Sequence, residues 1–540
     1  MIQVSKCIAD SILSSYQSSE LLTMINCHQS NMKSAFMLVC TFHVVNSFKI
    51  IVYSAPMGFS HMQFMGRIAD ILTEAGHDVT VLHPIWEPKY LHAVSTSAKQ
   101  VLVDLPLDLK EEFLPGKMNV WEPDSQSILQ QLQMFDNHTK RQLSSCDVVL
   151  RDNATMDRLI NERFDAGIAE VIESCAFGIF HKLGLNHIIG ASAVSMPDTV
   201  GDYFDVPRLP SVVPSFLGES SDKMTFYERT INFVLNLFAD VVVYRIIAKY
   251  EKLWHCHNIS VKEDDYVNKM NYLLLNSDEF LEFARPISAK VVHIGGIALP
   301  EPSPLPEELQ KIMDQSYRSG VVYISFGSIA STIEMPRHFR RAIFSVARAF
   351  PMYSFIWKVD GDDAIESVSN LYTFTWVPQR SLLAHRNLLC FVSHAGLNSV
   401  LELTTSGKPA ILVPLFADQF RNARMVEAKN TAILIKKEEF NTETFASALR
   451  RMLSHDNFTR RAERLASLVN NKPFPVRERL LSTVDFSIRH GKIDNLDIYG
   501  RNLNALQYYS IDSAVFLITI IGFIVFGSTY SCLYCFRKIF

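Results

Sequence analysis

Residues 376–419 hold the densest set of groups able to grip a phosphorylated sugar. Trp376, Gln379, His394, Gly396, Asn398, Ser399, Glu402, Asp418 and Gln419 all fall within these 44 positions. The apolar run at 388–392 reads as a buried strand, residues 393–399 as a small-residue turn, and the pattern beyond as a helix. Such a junction makes an anion site, because free backbone N–H groups and the helix dipole converge on one point. His394, Asn398 and Ser399 add side-chain donors suited to a diphosphate. Glu402, one turn further on, can accept from ribose hydroxyls, and Trp376 beside Gln379 offers a flat face to a base. A second apolar strand at 410–413 delivers Asp418 and Gln419 into a loop.

A separate candidate lies near the start of the body. His61 follows a strand and a short loop and opens a helix, and parallel α/β folds present their ligands at the carboxyl ends of strands. A helix N-terminus disfavours the imidazolium, so position alone predicts a neutral ring, as a general base requires. His77 reads instead as a turn residue.

These groups need a scaffold. Residues 48–54 read as a strand, 55–60 as a loop, and Met62, Met65, Ile68, Ala69 and Leu72 share one helical face. Gly76 ends that helix and 79–82 forms the next strand, which makes a βαβ unit and predicts a parallel sheet. Residues 165–169 and 186–190 read as further strands around a helix at 175–183, with 195–220 as loops over a cleft. A second α/β block follows Gly295 and Gly296. Its strand at 321–326 ends in Gly327 and Ser328, and another runs from 355 to 358. Four prolines within 300–306 mark a linker.

The stretch 376–419 resembles the donor-sugar signature of the UDP-glycosyltransferase superfamily. Gly58-Phe59-Ser60-His61, with Gly76-His77-Asp78-Val79-Thr80-Val81, resembles the amino-terminal pattern of membrane-bound UDP-glucuronosyltransferases, of nematode type. The resemblance covers roughly residues 48–536. It implies an α/β, GT-B fold: two Rossmann-like domains facing a cleft, acceptor-binding at 48–296 and UDP-sugar-binding, with a return segment, at 297–512. It also implies inverting transfer, with His61 as base and Glu170, in the segment 164–175, as the acid that orients the ring. Mammalian members usually carry Asp there. The extra methylene of Glu170 displaces the carboxylate by ~1.5 Å, and Asp165 and Glu173 stand close by. Ser325, Gly327 and Ser328 are expected to touch the donor phosphates. Lys358 borders the same region and is not assigned a role.

No cofactor is expected beyond the UDP-sugar co-substrate. The first loop lacks GxGxxG, and neither a DxD-like metal pair nor a P-loop lysine is evident. Glucuronate is the expected sugar. UDP-glucose is the alternative, because no Arg or Lys for a sugar carboxylate is evident in the motif. A non-catalytic binding role is a further alternative, which His61 and the full donor motif argue against.

At 540 residues the chain calls for two or more domains. A net charge of −4 without a long basic run gives no sign of a nucleic-acid partner, and none is expected. Cys146, Cys175, Cys256 and Cys390 fall in the body, and a disulfide there cannot be assigned from spacing. Residues 513–536 carry no charge over 24 positions, enough to cross the ~30 Å hydrocarbon core as a helix. Met32-Lys33, the apolar run 34–45 and the small residues at 45–47 read as a signal peptide, making 1–47 an extension plus leader. Together these predict a single-pass endoplasmic-reticulum membrane protein with a lumenal body and a cytosolic tail at 537–540. Arg537 and Lys538 resemble a dilysine-type retrieval tail. Sequons at Asn137, Asn153, Asn258 and Asn457 agree with lumenal exposure. The acceptor is expected to be a small lipophilic hydroxyl compound, and homo-oligomerisation is compatible with this reading.

Overall fold

The computed structural model describes residues 47–113, 120–121, 128–361 and 367–539. The leader-like run at 32–46 therefore lies outside the described residues. Two all-parallel sheets organise the body. The first contains β1 (Lys49–Tyr53), β2 (Asp78–Ile85), β3 (Lys99–Asp104), β4 (Ala166–Glu170), β5 (Ile188–Ser192), β6 (Met270–Leu275) and β7 (Val291–His293). Its order is β3-β2-β1-β4-β5-β6-β7. The second contains β8 (Val321–Ser325), β9 (Ser354–Lys358), β10 (Leu371–Phe374), β11 (Leu388–Ser393), β12 (Ala410–Leu412) and β13 (Ala432–Leu434), in the order β10-β9-β8-β11-β12-β13.

The strands are short and almost continuously apolar, as expected where helices cover both faces. β4, β5 and β8 are buried at every position. In each sheet the winding reverses once, between β1 and β4 and between β8 and β11. A crevice opens at the carboxyl ends of the strands at such a reversal, where ligands bind in open α/β sheets. The register fixes what meets there: Tyr53 pairs with Ala169 in the first sheet, and Ser325 with Ser393 in the second.

The helices used below are α1 (Phe59–Glu74), α2 (Ile128–Arg151), α3 (Cys175–Lys182), α4 (Phe226–Cys256), α5 (Leu397–Ser406), α6 (Gln419–Ala428), α7 (Val476–His490) and α8 (Ile511–Ile539). Met62, Met65, Ile68, Ala69 and Leu72 of α1 are buried against the first sheet, as their spacing predicts. A disulfide joins Cys146 of α2 to Cys175 of α3, while Cys256 and Cys390 are free. His77 serves structure: its Nδ1 accepts from the Phe48 N–H at 3.3 Å and its ring stacks on Phe48.

Among the described residues, several segments cross between the halves, the loop after β6 among them through Leu281 and Phe283. Trp121 packs in the core of the second sheet, its indole N–H donating to the Ser331 carbonyl at 2.8 Å. α7 returns to the first sheet, where Leu480, Val484 and Ile488 enter the core. α8 contains the charge-free run 513–536 and is long and apolar enough to cross a membrane. The same is true of α4, which hydrophobic periodicity did not reveal: it is apolar around most of its circumference and shows no single stripe.

Candidate active site

A cavity of about 2070 Å³ lies between the carboxyl ends of the two sheets. His61 lines it from the first half. Ser325, Gly327, Ser328, Trp376, Gln379, His394, Gly396, Asn398, Ser399, Glu402, Asp418 and Gln419 line it from the second. Glu170 stands behind His61, its side chain 1% exposed against 16% for the imidazole. The structure thus brings together residues drawn from almost 360 positions of sequence.

His61 is the third residue of α1, whose first turn has Gly58 as N-cap and no side-chain cap. Its Nδ1 lies 3.0 and 2.9 Å from the two carboxylate oxygens of Glu170, at the end of the adjacent strand β4. The second oxygen also accepts from the Ala193 N–H at 3.1 Å. A carboxylate that only accepts fixes the tautomer: Nδ1 carries the proton, and Nε2 is left with its lone pair. The longer Glu side chain is thus accommodated without losing the pair.

The alternatives to Glu170 are engaged elsewhere. Asp165 sits at the opposite end of β4 and accepts from the Lys49 N–H at 2.7 Å. Glu173 accepts from the Cys175 N–H at 2.9 Å and from Tyr250, and burial pushes its carboxyl up to about 7. The electrostatics of His61 differ from the sequence expectation. Burial disfavours its charged form, but the Glu170 charge and hydrogen bond, with Asp418 from the other half, outweigh burial and raise its pKa. A carboxylate in contact acts more strongly than the helix dipole, so the free ring is drawn toward the imidazolium.

In the second half, the turn after β11 places His394 against two glycines. A Cβ on Gly327 would come within 2.7 Å of the His394 ring, and one on Gly396 within 2.5 Å. Both positions must stay glycine for the ring to sit there. Ala395 and Ala417, beside the cavity-lining His394 and Asp418, adopt left-handed φ of 64° and 54°. That conformation is unfavourable for alanine and concentrates at ligand-binding turns. Burial, reinforced by nearby Lys358, lowers the His394 pKa to about 4 despite a backbone contact with Ser325. His394 is therefore neutral near pH 7. The cation beside it is Lys358, the residue left without a role; its Nζ donates to the Gly327 carbonyl at 2.9 Å and pairs with Asp360 at 3.0 Å.

α5 begins at the Gly396 N-cap with no side chain capping it, so its first N–H groups remain available to a ligand. Asn398 does not aim at that point alone. Its amide reaches Gln63 of α1 at 3.4 Å and its oxygen lies 3.4 Å from the Asn276 amide, so it spans the seam. The Ser399 hydroxyl accepts from the Gln379 amide at 3.1 Å, and the same amide donates to Glu402. Tyr323 completes the set by donating to Gln379 Oε1 at 3.2 Å. Glu402 has this one amide and a nearby Arg380 against heavy burial, which pushes its carboxyl up to about 7.

Trp376 stands at the rim, 73% exposed, an unusual placement for so large an apolar ring unless something covers it. Asp418 accepts from the Asn422 amide at 2.7 Å, and its pKa is raised because burial outweighs Asn422 and His61. The Gln419 side-chain oxygen is already committed to the Leu415 and Phe416 N–H groups, which leaves its amide to face a ligand. The spacing of the motif gave no sign of that internal role. Ser325 holds its own turn, its hydroxyl accepting from the Gly327 N–H at 3.4 Å, and Ser328 is exposed.

Two doubly wound halves facing one cavity, with a histidine–carboxylate pair in one and a glycine-flanked turn at a helix N-terminus in the other, have the arrangement of a GT-B glycosyltransferase. Residues 49–540 match the family described as UDP-glucoronosyl and UDP-glucosyl transferase. The chain belongs to this family and is a UDP-glycosyltransferase. It is 29% identical over 489 residues to the "Putative UDP-glucuronosyltransferase ugt-47" of Caenorhabditis elegans, covering 87% of this chain and 89% of the relative. It is 27% identical over 506 residues to the 2-hydroxyacylsphingosine 1-beta-galactosyltransferase of Rattus norvegicus, with coverage of 92% and 90%. Among solved structures, the glycotransferase of kitacinnamycin superposes with a TM-score of 0.55 at 18% identity, covering 82% of this chain and 98% of that one.

Proposed function

We propose that this enzyme transfers glucuronate from UDP-glucuronate, with inversion, to a hydroxyl of a small lipophilic acceptor. The observation that carries the mechanism is the His61–Glu170 pair facing the phosphate turn across one cavity. The acceptor O–H gives its proton to His61 Nε2 as the oxygen forms its bond to the anomeric carbon. The bond from that carbon to the UDP oxygen breaks, and UDP leaves with the electron pair. Glu170 orients the ring and balances the imidazolium formed. Charge developing on the leaving diphosphate is met by the α5 N-terminus, the neutral His394 N–H and Lys358. Trp376 stacks the base, Gln379 and Glu402 hold the ribose, and Asp418 and Gln419 hold the sugar hydroxyls.

The names of the nematode relatives favour glucuronate, and the galactosyltransferase relative favours a bilayer-resident acceptor. Purified full-length protein supplied with labelled UDP-glucuronate or UDP-glucose and a simple phenol tests both sugars. A labelled phenyl glucuronide is expected; transfer from UDP-glucose alone would overturn the donor, and UDP binding without any transfer would favour a non-catalytic role.

The same reading makes α8 a single span with a lumenal body, retained in the endoplasmic reticulum by Arg537 and Lys538. Asn137, Asn153, Asn258 and Asn457 are all exposed and open to glycosylation. Endoglycosidase-sensitive glycans on any of them are the expected result, and a body wholly without glycans in a lumen-competent cell would contradict it.

A further inference from the structure

α4 has two apolar sides with different neighbours. Ala239, Val243, Ile246 and Tyr250 line the active-site cavity. At 100° per residue, Val234, Leu237, Val241 and Tyr244 fall on the opposite side of the helix. That side is bare: Phe226 and Tyr227 are 78% and 73% exposed, and Val234, Leu237, Val241 and Tyr244 are each more than half exposed. A contiguous apolar stripe of this length on a soluble surface marks a site of contact with something apolar. Its one acidic interruption, Asp240, is neutralised by Arg208 at 2.6 Å.

α4 cannot leave the fold to span a bilayer. Asn232 is buried, accepting from the Ser215 N–H at 2.7 Å and donating to the Pro210 and Val213 carbonyls, and Trp254 is fully buried in the first-sheet core. The segment leading into α8 is clamped beside it. Arg501 pairs with Asp205 at 2.6 Å and donates to the Tyr203 carbonyl, and buried Lys290 bridges Asp205 and Asp497. The neighbouring Asp202 meets Arg208, which is the same residue that reaches Asp240 on α4. α8 begins ten residues after Arg501, so its root lies within ~35 Å of this clamp even if the intervening chain were fully extended.

We infer that the outer face of α4 lies in the interfacial region of the same bilayer that α8 enters, and that α4 is the membrane-side wall of the acceptor pocket. A helix with one face in the acyl boundary and the other in the cavity gives a membrane-dissolved acceptor a short path to His61. The occupant is a lipid surface, chosen because the chain's own membrane helix is tied to this side of the first half. The inference rests on the membrane-anchored reading of α8, and the test separates the two.

The full-length chain, reconstituted in phosphatidylcholine vesicles, carries a photoreactive benzoylphenylalanine at Leu237, Val241, Ile521 of α8 or exposed Glu443 of the second half. Lipid adducts are expected at 237, 241 and 521 but not at 443. Adducts at 521 alone would overturn the inference while sparing the anchor. No adducts even at 521 would overturn both, and crosslinks from 237 or 241 to a second copy or another protein would assign the face to that partner instead. As a functional arm, the triple variant V234S/L237S/V241S is expected to raise KM several-fold for a vesicle-dissolved acceptor. It should leave KM for a water-soluble phenol and UDP affinity unchanged; equal changes for both acceptors would overturn the entry route.

Discussion

The two halves of the cleft present polar groups in opposite states. On the first sheet, His61 and Glu170 satisfy each other at 2.9 Å, and their mutual charge raises the histidine pKa. On the second, His394, Glu402 and Asp418 are buried with few partners, and burial is the largest cause of each pKa shift. The half expected to move a proton is complete before anything binds. The half expected to hold the donor keeps its dipoles aimed at a ligand that supplies the missing partners. Preorganised charge serves chemistry, and unsatisfied burial favours binding.

The largest break in this contrast should come from His61→Ala, which is expected to lower turnover by ~10²–10⁴-fold with little change in UDP affinity. Single-turnover rates and calorimetric UDP binding measure the two parts; a matching loss of UDP binding would mark His61 as structural. Glu170→Gln should cost roughly 10²-fold in rate and also move a pH limb. A base with a raised pKa is active only as pH rises through that value, so the acid limb of wild-type kcat/KM lies above the ordinary imidazole value of about 6.5. Removing the carboxylate lowers the His61 pKa, so the limb should shift to lower pH. An unshifted limb would remove Glu170 from the pair.

Trp376→Ala should weaken UDP by roughly 5- to 150-fold, the range for loss of one stacked base. Asp418→Asn should spare plain UDP and act on sugar-dependent steps. If Asp418→Asn weakens UDP as much as Trp376→Ala, the donor lies elsewhere in the cleft. The smallest effect is also the sharpest. Glu402, at about 7 in the free protein, should ionise when ribose hydroxyls donate to it. UDP binding at pH 7 should then release about half a proton. Calorimetry in buffers of different ionisation enthalpy counts that proton, and Glu402→Gln should abolish it.

Much of this architecture was legible because parallel strands leave plain signals. The βαβ unit at 48–82 and the strand–turn–helix at 388–406 are local in sequence, and their periods or apolar runs are unambiguous. The cavity positions of the donor motif followed from the same locality. What escaped was set by distant contacts. The direction of the His61 shift depends on a carboxylate 109 positions away, where the helix N-terminus alone pointed the other way. The commitment of Gln419 Oε1 to its own loop depends on how that loop turns. Cys146 and Cys175 could be paired only once α2 lay against α3. α4 escaped for another reason: a helix apolar on two opposite sides has almost no net direction to detect.

The return of α7 to the first sheet has a topological consequence. Residues between about 297 and 475 form an insertion within the first half, because the chain leaves that half near Gly295 and re-enters it near Pro475. Both crossings sit at one seam: the Gly295 N–H donates to the Ser277 carbonyl at 2.9 Å, and Lys472 pairs with adjacent Asp278 at 2.5 Å. The second half is thus a cassette with neighbouring entry and exit points, and the His61–Glu170 pair and the clamp leading to α8 belong to the host. Exchanging this cassette between relatives needs two cuts in the chain and preserved seats for Trp121, Leu281 and Phe283 of the host. On the proposed reading, the exchange is expected to carry donor choice with it while leaving His61, Glu170 and α8 in the recipient.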